Sequence, residues 1–204
     1  MDKPQLWLLV GGNGAGKSTF YEQFLKARGL PFVNADLIAR EYFPDDPEGR
    51  SLEASALAEK LRYRLVDERR SFCFETVFSH PSKIDFLGVA KAAGYEIIMV
   101  FIHLGNADLN KARISQRVAS GGHNVPDARV APRIDRLLKN VKTVVQLGLA
   151  DEVHILNNSD SVDPFKRELS VSYGEVELNS DDCPDWVLDL LTANESGSLN
   201  NKNE

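Results

Sequence analysis

Residues 6–18 read LWLLVGGNGAGKS, an apolar run from Leu6 to Val10 that passes directly into a full match to G-x-x-x-x-G-K-[ST]. A buried strand entering a glycine-rich loop and then a helical pattern is the setting in which this motif holds phosphate. The glycines let backbone N–H groups converge on polyphosphate oxygens, and the N-terminus of the following helix adds the positive end of its dipole. Gly11, Gly12, Asn13, Gly14, Ala15, Gly16, Lys17, Ser18 and Thr19 form the expected nucleotide-binding set. Lys17 is expected to reach the β/γ-phosphates, and the Ser18 hydroxyl to hold Mg²⁺. The plainer alternative is a glycine turn with an incidental lysine. The strand, helix and hydroxyl together weigh against it, so the chain is expected to bind a nucleoside triphosphate.

Downstream of the loop, Lys17 to Arg28 has helical spacing and stops at Gly29. A short strand at 31–34 precedes a helical turn over 36–42. Ala54, Leu57, Ala58, Leu61 and Leu65 fall at three- and four-residue steps, predicting an amphipathic helix over about 51–69. Strands are predicted at 72–75, 95–104 and 153–156. Helices are predicted from Pro81 to Gly94, from Asp108 to Gly121-Gly122, and from Pro126 onward with an interruption at Pro132. Residues 165–178 read as a hairpin around Tyr173-Gly174, and 184–191 as a short final helix. Such alternation predicts an α/β fold: a doubly wound, mostly parallel five-stranded sheet, with a small C-terminal hairpin and helix extension. A single domain over 1–192 is expected, with a lid segment at about 108–137 and a disordered tail at 193–204.

The 204 residues carry a net charge of −6, which argues against nucleic acid as a partner. The longest uninterrupted apolar run, Ile97 to Ile102, is too short to span a membrane, and no export signal is visible, so a cytoplasmic location is expected. Two cysteines without clustered histidines give no support for a bound transition metal. Between Lys111 and Lys142, however, eight basic residues face only two acidic ones. Beside a phosphate loop, such a segment is expected to face a small polyanion.

The strand at 95–104 ends in His103-Leu104-Gly105 without a carboxylate, and neither a guanine-reading Asn-Lys-x-Asp nor a transporter Leu-Ser-Gly-Gly-Gln occurs. A small-molecule kinase is what remains. Kinase chemistry needs an acceptor hydroxyl aligned with the γ-phosphate and a carboxylate to receive its proton. Two carboxylates follow strand ends, where ligands of such sheets sit: Asp36 in Asn34-Ala35-Asp36, and Glu75 before Thr76. Each has a plainer reading, Asp36 as a helix N-cap and Glu75 as an exposed strand end. The joint at 117–126, with Arg117, Gly121-Gly122, His123 and Pro126, can close over phosphates and bring arginines to transition-state charge. It also reads as a surface helix hairpin with solvated arginines. His123 is read as a loop-organising hydrogen bonder.

With GGNGAGKST at 11–19, VNADLIA at 33–39, FETVFS at 74–79, the Gly94-Tyr95-led strand, RVASGGHNVP at 117–126 and LNNS at 156–159, the chain resembles the zeta toxin family of kinases, particularly its short chromosomal members. The resemblance covers nearly all of residues 6–157. It implies a P-loop kinase that uses ATP or GTP with Mg²⁺ to phosphorylate a sugar hydroxyl of UDP-N-acetylglucosamine or a similar UDP-sugar, and a small antitoxin protein that blocks the nucleotide site. By the same resemblance Asp36 is the base. Lys17, Arg117 and Arg133 steady the transferred phosphoryl group, while Asn34, Glu75, Thr76, Ser79 and Arg136 bind the acceptor. Other acceptors (a nucleoside, a dinucleotide or another metabolite), or a nucleotide-dependent binding role with little catalysis, remain as alternatives.

Three departures from the family pattern stand out. Val130-Ala131-Pro132-Arg133 replaces a run of arginines, Thr76-Val77 replaces Thr-Thr, and Asn157-Asn158-Ser159 replaces Asp-Asn-Ser.

Overall fold

A computed structural model describes residues 3–105, 109, 113, 115, 130–179 and 183–192. One sheet organises them. Its strands are β1 (Gln5–Val10), β2 (Phe32–Val33), β3 (Phe72–Thr76), β4 (Glu96–His103), β5 (Glu152–Asn157), β6 (Lys166–Ser172) and β7 (Glu175–Leu178), in the order β2-β3-β1-β4-β5-β6-β7. The first five pair in parallel, while β6 and β7 add antiparallel. The sheet therefore has seven strands where five were expected. The hairpin at 166–178 does not stand apart: Leu169 pairs with Ile155, both fully buried, so the hairpin extends the sheet past β5.

Alternation along β1 explains the two-sided core. Leu6, Leu8 and Val10 point to one face, against α3 (Ser51–Asp67), α4 (Ser82–Ala92), α5 (Val130–Gln146) and α6 (Asp185–Leu191). Trp7 and Leu9 point to the other face, where Ala15, Phe20, Tyr21 and Leu25 pack. The helix expected over 17–28 is helical throughout but changes pitch. A short α1 (Lys17–Phe20) widens into a π turn over Tyr21–Leu25 and tightens to a 3₁₀ turn at Lys26–Arg28. Within the widened turn the Tyr21 ring stacks on Phe32, 3.7 Å between centroids. Pro132 does not interrupt α5, which runs from Val130 to Gln146.

The face that α3 buries also differs from expectation. Leu57 and Leu61 are partly exposed, and the buried stripe is Ala54, Ala58, Arg62, Leu65 and Val66. Tyr95 secures the end of α3, its hydroxyl donating to the carbonyls of Leu65 and Arg70 at 2.8 Å each. Among the described residues no helix is long and apolar enough to cross a membrane.

Candidate functional site

The phosphate loop leaves β1 under tight packing. A Cβ on Gly11 would lie 2.5 Å from the Ile102 carbonyl oxygen of the neighbouring strand, so only glycine lets the chain turn there. Gly16, at φ 101°, enters α1 beside Asn158 and the Phe165 ring. Asn158, named in the sequence only as part of the LNNS motif, is a strap whose role was not anticipated. Its backbone N–H donates to His103, and its buried side-chain amide donates to the Ala15 carbonyl at 2.8 Å, so the loop after β5 holds the phosphate loop from behind.

Lys17 is only 7% exposed, and its ammonium donates to the carbonyls of Gly11 at 2.9 Å and Gly12 at 3.0 Å. Glu75, at the end of β3 and 11% exposed, is a hub. One oxygen lies 3.8 Å from Lys17 Nζ; the other accepts from the Ser18 hydroxyl at 3.0 Å and from Asn34 Nδ2 at 2.8 Å. This is no exposed strand end. Parallel pairing of β3 with β1, Glu75 opposite Leu9, carries the carboxylate to the loop's mouth.

Those oxygens suit Mg²⁺. The metal favours hard oxygen donors, and adjacent corners of an octahedron with bonds of about 2.1 Å are about 3 Å apart, matching the Ser18–Glu75 separation. Among the described residues there is no cluster of three or more His, Cys, Asp or Glu side chains fit to hold an ion alone. The metal would therefore need the phosphates as co-ligands.

Asn34 ends β2 and caps α2 (Ala35–Tyr42), its Oδ1 accepting from the N–H groups of Asp36 at 2.8 Å and Leu37 at 3.2 Å. The cap is thus Asn34, not Asp36. Asp36 stands in the first turn with its carboxylate exposed and without a hydrogen bond or ion pair among the described residues.

A cavity of about 500 Å³ joins these groups. Asn13, Lys17, Asn34, Asp36, Glu75 and Arg133 all line it, as do Thr76, Val77 and Ser79. The loop bearing the last three is pinned twice. Thr76 Oγ1 accepts from the N–H of Phe78, which adopts a left-handed φ of 62°, and buried Asn140 of α5 donates to the Phe78 carbonyl at 2.8 Å. Arg136 lies on the exposed side of α5 and is not among the lining residues. Ser18 and Thr19 are exposed at the start of α1. Arg117, Gly121-Gly122, His123, the expected cap Asp108 and the tail at 193–204 lie outside the described residues, as does most of the expected lid.

The lining residues that were not anticipated include two cations, Arg62 of α3 and Lys83 of α4. Burial lowers the pKa of both groups, and the Arg62 charge pushes Lys83 down further.

The model of the zeta toxin family matches residues 1–170. The chain belongs to the zeta toxin family. It is 28% identical over 134 residues to an uncharacterized protein of Haemophilus influenzae, covering 62% of this chain and 95% of that relative. Two solved structures share the fold of this family member at low identity. One is the AvrRxo1-ORF1:-ORF2 complex with ATP, at 17% identity and TM-score 0.68, covering 87% of this chain and 61% of that one. The other is the PezAT chromosomal toxin-antitoxin system of Streptococcus pneumoniae, at 15% and 0.65, covering 94% and 86%. The chain spans about three fifths of the length of the AvrRxo1 chain it matches. The mostly parallel sheet with the phosphate loop between β1 and α1 is that of P-loop kinases.

Proposed function

We propose that this zeta toxin family member is a phosphotransferase that moves the γ-phosphoryl group of ATP or GTP to a sugar hydroxyl of UDP-N-acetylglucosamine or a similar UDP-sugar. The observation that carries this reading is the cavity: it runs from the phosphate-loop lysine to the Asp36 carboxylate, which has no hydrogen bond or ion pair among the described residues. The loop amides and Lys17 bind the β/γ-phosphates. Asp36 takes the acceptor's proton as its oxygen attacks the γ-phosphorus, and the bond to the β–γ bridging oxygen breaks to release the nucleoside diphosphate. Ser18, with Glu75 beside it, holds Mg²⁺, which when bound offsets charge on the phosphates. Arg133, with Arg117, brings positive charge to the transferred group, and Asn34, Thr76 and Ser79 position the acceptor. ATP in the AvrRxo1 complex and a toxin-antitoxin pairing in PezAT support a nucleotide ligand and a small antitoxin partner here. The reaction so described belongs in the cytoplasm, in a single domain over 1–192.

Val77 lines the cavity where the family pattern has a second threonine, which favours one further reading, a different small-molecule acceptor for the same chemistry. Nucleoside diphosphate release with ATP and UDP-N-acetylglucosamine tests the main proposal, and mass spectrometry of a metabolite extract tests the other. Asp36→Asn is expected to lower turnover about 10²–10⁴-fold with nucleotide affinity unchanged. Full activity of that variant would remove Asp36 from the reaction.

A further inference from the structure

Arg62 and Lys83 come from different helices and reach the same cavity wall. Arg62 is 2% exposed, with its guanidinium carbon 4.1 Å above the Phe74 ring and 5.0 Å from that of Phe86. Its nearest carboxylate among the described residues, Glu59, is 3.8 Å from Nη2 and half exposed, and its buried Nε has no hydrogen-bond partner among them. Lys83 Nζ lies 5.8 Å from the centroid of the same Phe74 ring, and no carboxylate among the described residues lies within ion-pair distance of it. Stacking on two rings accounts for the Arg62 plane. It does not account for an orphaned Nε, nor for a second cation beside the first. Like charges drawn together at a half-buried wall are costly, and half-exposed Glu59, whose charge acts on both, offsets only part of that cost. The cavity's own carboxylates are Asp36, Glu48 and Glu75, and Glu75 is already held by Lys17, Ser18 and Asn34.

We propose that Arg62 and Lys83 form a subsite for a phosphate group of the acceptor, distinct from the loop that holds the nucleoside triphosphate. The guanidinium supplies a fork of donors and the ammonium a point charge, a pairing suited to a phosphate oxyanion. A cavity of about 500 Å³ has room for a nucleotide-sized molecule anchored in this way. This inference rests on the acceptor reading above and narrows it to acceptors bearing phosphate.

The test is titration calorimetry on the full chain saturated with adenylyl imidodiphosphate, which fills the phosphate loop without transfer. The probes are UDP-N-acetylglucosamine and, separately, inorganic pyrophosphate in magnesium-free buffer. Lys83→Gln alters a partly buried side chain outside the hydrophobic core; Arg62→Met and Arg62→Lys are compared with it after their melting temperatures are measured. Expected is a loss of affinity of about tenfold or more for both probes in Lys83→Gln and Arg62→Met. Arg62→Lys should fall between, and nucleotide affinity should be unchanged. Wild-type protein that binds the UDP-sugar no better than Lys83→Gln overturns the subsite and leaves the acceptor reading standing. Pyrophosphate binding that depends on Lys83, without UDP-sugar binding, does the reverse. Binding of neither probe, or a loss confined to Arg62→Met with a lowered melting temperature, marks Arg62 as a packing residue and ends the proposal.

Discussion

Gly16→Ala tests whether the loop after β5 shapes the phosphate loop. At φ 101° an alanine is strained, at a cost of about 1–3 kcal/mol. Its Cβ would also stand 2.5 Å from Asn158 Nδ2 and 3.3 Å from the Phe165 ring. One of these must move, and the amide is the closer. Displacing it leaves the Ala15 carbonyl without its 2.8 Å donor in a buried setting, a further loss of about 1–3 kcal/mol. Together the two effects predict a destabilisation of roughly 2–6 kcal/mol and a fall in melting temperature on the order of 10 °C for a chain of this size. Thermal and urea unfolding measure this directly, with nucleotide titration as the second readout. The companion variant Asn158→Ala removes the obstructing amide. Gly16→Ala in that background should cost only the backbone strain, so the double variant should lose less than the two single losses combined. A melting temperature within 2 °C of wild type for Gly16→Ala, or strict additivity in the cycle, would refute the strap.

Two further outcomes follow from the same geometry. Glu75→Gln removes the charge that gathers Ser18, Asn34 and Lys17. Charge-assisted bonds of this kind contribute about 1.5–3 kcal/mol, so affinity for the magnesium–nucleotide complex should fall about tenfold or more by calorimetry. An affinity within twofold of wild type would show that the hub is dispensable. Burial pushes the His103 imidazole down to about 4, with the Trp186 ring packed 4.1 Å away. Because the folded-state pKa lies below the unfolded value near 6.5, the unfolded chain binds the extra proton first. His103 therefore contributes stability that is fully present above about pH 6.5 and is lost as pH falls toward 4. His103→Gln should flatten urea midpoints plotted over that window, and identical slopes for both proteins would contradict the assignment.

The features legible in the sequence were those carried by local signals. The phosphate loop, the strand–helix alternation, and the carboxylates after β2 and β3 all rest on short stretches whose residues decide their own conformation. What escaped depended on distant partners. Arg62 lies in the stripe Ala54-Ala58-Arg62-Leu65, but helical spacing alone favoured the larger Leu57 and Leu61 as core residues. The Phe74 and Phe86 rings, from β3 and α4, help make the guanidinium's burial tolerable. The hairpin's place in the sheet is likewise a matter of pairing with β5, which periodicity cannot announce. Asn34 and Asp36 are both good capping types two positions apart; the end of β2 decided between them.

That decision bears on chemistry, because it separates the roles of the two candidate carboxylates. Glu75 accepts from two donors through one oxygen and faces an ammonium with the other, so its charge is already engaged and it is less well placed to take a proton from an incoming alcohol. Among the described residues the Asp36 carboxylate has no hydrogen bond or ion pair, which leaves it for the cavity. One side chain enforces both conditions. Asn34 turns its carbonyl oxygen to the first turn of α2, which carries Asp36, and its amide to Glu75. The proposed base and the phosphate-loop hub are therefore held in fixed relation by a single residue with no charge of its own. A proton acceptor must stand off from the lysine and the metal site, or its charge would be spent on them, yet remain within reach of the γ-phosphate. A short neutral amide bridging two elements meets both demands, and an ion pair between the same elements would not.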